Sequence, residues 1–144
     1  MSSVVSPELS EYLAFLHDVI AAYHERLSEA TSPEVARQVM AGIADKEARY
    51  LGINRDANPQ DFVSKFIERI GMRYRTFKVG DQDVNELECP YASIVHPRIR
   101  VSYPVCPVSI LALGAARLAN RNLLIASNHL TKTGAKYTIA PKGS

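Results

Sequence analysis

The sequence predicts an α+β fold, with helices in the first half of the chain and an antiparallel sheet in the second. Residues 6–71 contain three helix starts, each followed by apolar residues at three-to-four spacing. Residues 72–140 instead contain short alternating segments separated by turns, with one apolar, small-residue stretch between them. Since 144 residues is an ordinary length for one domain, we expect a single domain made of these two parts.

Three capping pairs mark the helix starts: Ser6-Pro7, Ser32-Pro33 and Asn58-Pro59. In each pair the first side chain can accept a backbone N–H that has no partner inside the helix, and proline lacks that N–H. Gly52 and Gly71 can end the second and third helices. The first helix carries the strongest apolar stripe, which is typical of a helix packed against a core; it consists of Leu9, Tyr12, Leu13, Leu16, Val19, Ile20, Tyr23 and Leu27.

The second half alternates with a period of two, which indicates strands with one buried face. The small apolar stretch that opens at Pro107 indicates a buried helix. The predicted elements are strands at 72–79 and 84–89, a short strand at 99–103, a helix at 107–119, and strands at 123–127 and 136–140.

Composition excludes several function classes. A net charge of +2 is too small to indicate a nucleic-acid partner or an anionic membrane surface. No apolar run approaches the length of a membrane helix, and the first residues do not resemble a signal peptide. Two cysteines do not form a secreted disulfide framework, so we expect a cytoplasmic protein.

Cys89 and Cys106 are the candidate site residues, and each is followed by proline. Cys106 lies at the start of the predicted helix at 107–119, where the helix dipole favours a thiolate and should lower its pKa. Three interpretations remain open: zinc bound by both cysteines with one or both of His96 and His129, a reactive thiol pair, and two buried structural cysteines.

Two further sets of polar residues could serve a site. Arg98 and Arg100 follow His96 in a loop and could hold an acidic group of a substrate, although a solvated loop is the commoner arrangement. His17 and His24 lie two helical turns apart, which is too far for a shared metal ion, so we expect them at exposed or rim positions.

The order of features in the second half resembles a known family. The element Cys89-Pro90-Tyr91-Ala92 is followed by Cys106, then by a small-residue helix, then by a terminal strand-turn-strand at 123–139. This order is similar to that of the 4-vinyl reductase domain family of small-molecule-binding domains and of the related aminothiazoline carboxylate hydrolase-like proteins. The resemblance covers about residues 72–140. It implies a domain that encloses a small, largely apolar ligand, often as a dimeric sensory module.

The terminal hairpin departs from that family at its cysteines. Where the family carries Cys, Gly-Asp and Cys, this chain carries His129, Thr133-Gly134 and Tyr137. A four-thiolate zinc site therefore cannot form. A mixed zinc site of Cys89, Cys106 and His129 is chemically possible, because thiolate and imidazole are both zinc ligands.

Two functions follow as hypotheses. The first is a homodimeric small-molecule-binding domain with its pocket between the last helix and the sheet, zinc being a candidate cofactor. The second is a thiol-dependent hydrolase or transferase in which Cys106 attacks an anionic substrate and His129 or His96 carries the proton. The residues assigned to ligand binding are Cys89, Tyr91, His96, Arg98 and Arg100.

Overall fold

The computed structural model describes residues 6–98 and 106–142. None of the helices in these two ranges combines the length and the apolar character that a membrane span requires. The helices are α1 Pro7–Ala30, α2 Pro33–Leu51, α3 Pro59–Arg69, the short α4 Ala92–Val95 and α5 Pro107–Arg117, with 3-10 turns at Ile53–Arg55 and His96–Arg98. The strands are β1 Arg73–Val79, β2 Gln82–Glu88, β3 Leu123–Leu130 and β4 Gly134–Pro141.

All three predicted helix caps are confirmed. Ser6 Oγ accepts the Leu9 amide at 3.1 Å, and Ser32 Oγ accepts the Val35 amide at 3.1 Å. Asn58 Oδ1 accepts the Asp61 amide at 3.2 Å. Local chemistry therefore decides where these helices begin.

The sheet is antiparallel throughout, in the order β1-β2-β4-β3, and the predicted α+β class is confirmed. β3 and β4 each extend beyond the predicted strands at 123–127 and 136–140, towards the turn that joins them. A register irregularity between Ile125 and Ser127 interrupts β3. The short strand predicted at 99–103 lies outside the described residues. The helix α4 was not predicted, because four residues are too few to show a helical period.

Helices and sheet share one hydrophobic core. Side chains from α2, α3 and α5 pack against one face of the sheet, to which Leu87, Tyr137 and Ile139 belong. At Gly114 of α5, a Cβ would lie only 2.7 Å from the carbonyl oxygen of Ala44 in α2, so these two helices approach closely.

A paired charge joins α5 to α2 beside that contact. The Arg117 guanidinium donates to both carboxylate oxygens of Asp45, at 2.9 and 3.0 Å, and to the carbonyl oxygens of Arg121 and Leu123. The hydrogen bond from Arg117 lowers the pKa of Asp45, so the carboxylate stays ionised. This pair fixes the position of the helix that carries Cys106.

The buried face of α1 corrects the interpretation of its apolar stripe. Tyr12, Phe15 and Tyr23 are 57%, 60% and 75% exposed. The buried side chains of this helix are small or polar: Ser10, Ala14, Ala21 and His24. His24 is therefore not at the exposed or rim position expected for it. Of the predicted stripe, Leu9, Tyr12 and Tyr23 are exposed, whereas Leu13, Leu16, Val19, Ile20 and Leu27 are half-buried beside this face.

Candidate ligand site

A small cavity lies where α1, α4, the start of α5 and one end of the sheet meet. Its volume is about 30 Å³, which is room for about one water molecule. Four chemically active side chains line it, from four parts of the chain: His17, Cys89, His96 and Cys106. The rest of the wall is almost wholly apolar, with Met72, Leu87, Val95, Val108, Leu130 and Ala135.

Cys106 is the N-cap residue of α5, as the sequence predicted, but the expected lowering of its pKa is wrong. Burial raises the pKa of this thiol to about 11, although the backbone amides of Val108 and Ser109 act in the opposite direction. The residue keeps slight solvent exposure, yet its sulfur lies against the apolar wall of the cavity. Desolvation therefore outweighs the helix dipole, and the sulfur is a neutral thiol at pH 7.

Cys89 follows the end of β2 and contributes a second neutral thiol. The backbone N–H of Tyr91 donates to Cys89 Sγ at 3.4 Å. Burial raises the pKa of Cys89, and the nearby amides of Tyr91 and Ala92 only partly oppose this. Both cysteines are free rather than joined in a disulfide.

Two imidazoles complete the polar part of the cavity. His17 Nδ1 lies 2.7 Å from the carbonyl oxygen of Leu13, and His96 Nδ1 lies 3.1 Å from that of Thr131. Because a carbonyl oxygen only accepts, both Nδ1 atoms must carry the proton, which leaves each Nε2 as an acceptor when the ring is neutral. Burial lowers the pKa of His96, with a smaller contribution from the charge of His17.

His129 does not join the cysteines, and this corrects the predicted site. It pairs with Lys136 in the β3–β4 register and is exposed. Within residues 6–98 and 106–142, no group of three or more His, Cys, Asp or Glu side chains is arranged to hold a metal ion. The mixed zinc site of Cys89, Cys106 and His129 is therefore not formed, and His129 is not placed to carry a proton for Cys106.

The remaining predicted ligand residues fall into three cases. Tyr91 packs against the core and supplies its backbone N–H to Cys89. Arg98 ends the short 3-10 turn, and its side chain is not among the described features. Arg100 lies outside the described residues. His96 is the one member of this loop whose side chain is described at the cavity.

His17 was missed because the large apolar stripe of α1 was taken as the inward face. A second stripe was visible in the sequence at Ser10, Ala14, His17, Ala21 and His24, with steps of three and four residues. Small side chains at this spacing allow another element to approach the helix closely.

A buried polar row lies on the same face of the sheet as the cavity. Asn85 of β2 and Asn128 of β3 are both directly opposite Tyr137 of β4, so all three side chains share the face that the helices cover. Tyr137 is 0% exposed, and each asparagine is 2% exposed. The Tyr74 hydroxyl donates to Asn85 Oδ1 at 2.6 Å.

A larger hollow, of about 430 Å³, lies along α3 and the loop before it. It is an open surface groove whose charges pair with each other, as Lys65 and Asp61 do at 2.9 Å. The smaller cavity is the better candidate site, because it is more enclosed than this groove and collects thiols and imidazoles on an apolar wall.

Comparisons with known proteins add no relative. No protein-family model, no curated protein and no solved structure matches this chain.

Proposed function

We propose that this chain is a small-molecule-binding domain whose ligand occupies the cavity between α1, α4, α5 and the sheet. One observation carries this proposal. Two thiols and two imidazoles from four separate parts of the chain converge on one enclosed, apolar-walled cavity. Apolar walls with a few convergent polar groups are the usual composition of a small-molecule site.

The ligand is largely apolar and uncharged at the end that enters. Burial keeps both thiols protonated and favours a neutral His96, so these groups offer weak donors and an acceptor rather than charge. Ligand sites usually measure roughly 300–1,000 Å³, so binding must enlarge the cavity of about 30 Å³. We assign the movement to α1, because its fully buried side chains are mostly small: Ser10, Ala14 and Ala21, beside His24.

We propose that this chain binds a small, largely apolar ligand, as its resemblance to the 4-vinyl reductase domain family implies. The order of a hairpin, a buried small-residue helix and a second hairpin supports it. We propose a sensory role on the basis of the same resemblance. A cytoplasmic location agrees with two free cysteines, because thiols stay reduced in that compartment.

Filling the cavity tests this function. Val108→Leu adds one methylene to the cavity wall, where there is space for it. We expect the free energy of unfolding of the empty protein to rise by about 0.5–2 kcal/mol, because the new group fills a void. Native mass spectrometry of freshly purified protein should detect a bound molecule in the wild type and a smaller bound fraction in this variant.

Val63→Leu is the matched control. Val63 is fully buried in α3 and does not line the cavity. The same added methylene there should lower the free energy of unfolding by about 1–3 kcal/mol and leave the bound molecule in place. Wild-type protein that carries no small molecule, or a Val108→Leu variant whose bound fraction equals that of the wild type, would contradict the proposed function.

We further propose that the exposed faces of α1 and α2 form a homodimer interface. Seven large apolar side chains on these faces are 40–75% exposed. Together they expose on the order of several hundred Å², the scale of the roughly 800 Å² that each partner buries in a stable interface. The partner is a second copy of the chain, because the apolar faces of α1 and α2 in one copy would be buried against the same faces of the other. The residues are Leu9, Tyr12, Phe15, Tyr23, Val35, Val39 and Ile43.

Phe15→Glu should weaken the dimer, because it places a charge in the interface. We expect the dissociation constant, measured by sedimentation equilibrium, to rise at least about tenfold. Val79→Glu is the control, because Val79 is 57% exposed, close to the 60% of Phe15, but lies at the end of β1. A monomeric wild type, or equal dissociation constants for both variants, would contradict the proposed dimer interface.

A further inference from the structure

The two asparagines beside Tyr137 occupy equivalent positions but differ in their bonding. Asn85 accepts the Tyr74 hydroxyl at 2.6 Å, and its Nδ2 lies 3.5 Å from the carbonyl oxygen of Asp83. Asn128 Oδ1 and Nδ2 both lack a hydrogen-bond partner among the described residues. The Tyr137 hydroxyl lies beside that of Tyr74, but within the same part of the chain it also finds no partner of hydrogen-bond geometry.

Such groups are unusual in a folded protein. A buried polar atom without a partner loses the hydrogen bonds it made to water and gains none, so nearly all are satisfied. Here three such atoms belong to two side chains that are directly opposite each other on neighbouring strands. Their concentration at one point indicates a bound group that satisfies them together.

This point adjoins the cavity. Leu130 and Ala135 line the cavity, and Asn128 and Tyr137 are the next residues on the same face of β3 and β4. Two residues along a strand is about 6.6 Å. A ligand that enlarges the cavity would meet these polar atoms.

We propose that Asn128 and Tyr137 form the polar end of the ligand site and bind a primary carboxamide on an otherwise apolar molecule; this rests on the proposed function. The carboxamide oxygen has two lone pairs, which accept from Asn128 Nδ2 and the Tyr137 hydroxyl. Its N–H donates to Asn128 Oδ1. One such group therefore satisfies all three orphaned atoms. A carboxylate does not fit, because it cannot donate to Oδ1 and its buried charge would meet no cation in this row.

Stability of the empty protein provides the first test. Asn128→Leu removes two unsatisfied atoms, so its melting temperature should equal or exceed that of the wild type. Asn85→Leu is the matched control, since it lies on the other side of Tyr137 and orphans the Tyr74 hydroxyl. It should melt roughly 3–10 °C lower. If Asn128→Leu melts below the wild type, Asn128 is a satisfied structural residue and the proposal is overturned.

Binding provides the second test, by calorimetric titration with benzamide, toluene and benzoate. We expect benzamide to bind at least about tenfold tighter than toluene, benzoate not to bind, and Asn128→Leu to remove the advantage of benzamide while toluene still binds. Equal affinity for benzamide and toluene would overturn the carboxamide site and leave the binding function standing. Failure of both probes would overturn both. A crystal structure with benzamide that retains an ordered water on Asn128 and Tyr137 would also overturn the carboxamide site.

Discussion

Gly134→Ala is expected to lower the free energy of unfolding by roughly 3–5 kcal/mol. A Cβ at Gly134 would overlap the backbone carbonyl oxygen of Leu87 on the neighbouring strand. Backbone atoms cannot avoid such an overlap by changing rotamer, so β2 and β4 must separate where they pair. Gly134 and Leu87 also line the cavity, so the same change should abolish ligand binding. Urea denaturation followed by circular dichroism measures the first effect.

Gly42→Ala is the control for this substitution. Gly42 lies inside α2, and a Cβ there meets nothing within 4 Å. Alanine should therefore raise the free energy of unfolding by about 1 kcal/mol, because it favours the helix over the unfolded chain. Equal stabilities for the Gly134→Ala and wild-type proteins would contradict the close approach of Gly134 to the carbonyl oxygen of Leu87.

The Cys106 thiol is expected to react about 100-fold more slowly with iodoacetamide at pH 7 in the folded protein than in the unfolded chain. Folding raises its pKa from the ordinary 9.0 to about 11, and only the thiolate reacts. The rate should rise about tenfold for each pH unit until the pH approaches this pKa. Between pH 9 and pH 11 the unfolded chain releases the proton first, so the folded state should lose stability over this window.

The measurement uses Cys89→Ala, which leaves Cys106 as the single thiol of the chain. The same variant in concentrated urea gives the rate of an unperturbed thiol. A folded-state rate equal to the unfolded rate would contradict the raised pKa, and a faster rate would mean an activated thiolate. That result would favour the thiol-dependent hydrolase or transferase, whose mechanism needs a nucleophilic Cys106 at neutral pH.

The sequence predicted the helix starts and the fold class because both depend on local chemistry. Ser6, Ser32 and Asn58 cap their helices through side chains three residues from the amide that they bind. The sequence also predicted Cys106 at the start of α5 and Cys89 after a strand, but only the packing of these elements brings both thiols to the cavity. The predicted stripe of α1 is only partly buried, and the most buried face of the helix carries small or polar side chains, because the size of a side chain does not determine what another element packs against.

His129 shows what only the tertiary structure decided. Side chains alternate across a strand, so a regular β3 that directs Ile125 inward would also direct residues 127 and 129 inward. The irregularity between Ile125 and Ser127 shifts the register by one residue, which turns Asn128 towards the helices and His129 away from them. The sequence alone predicted the three helix caps and the approximate positions of the four described strands. The face of the sheet that each residue of β3 occupies depends on how β3 pairs with β4. The pKa of Cys106 depends on the apolar side chains that line the cavity around its sulfur.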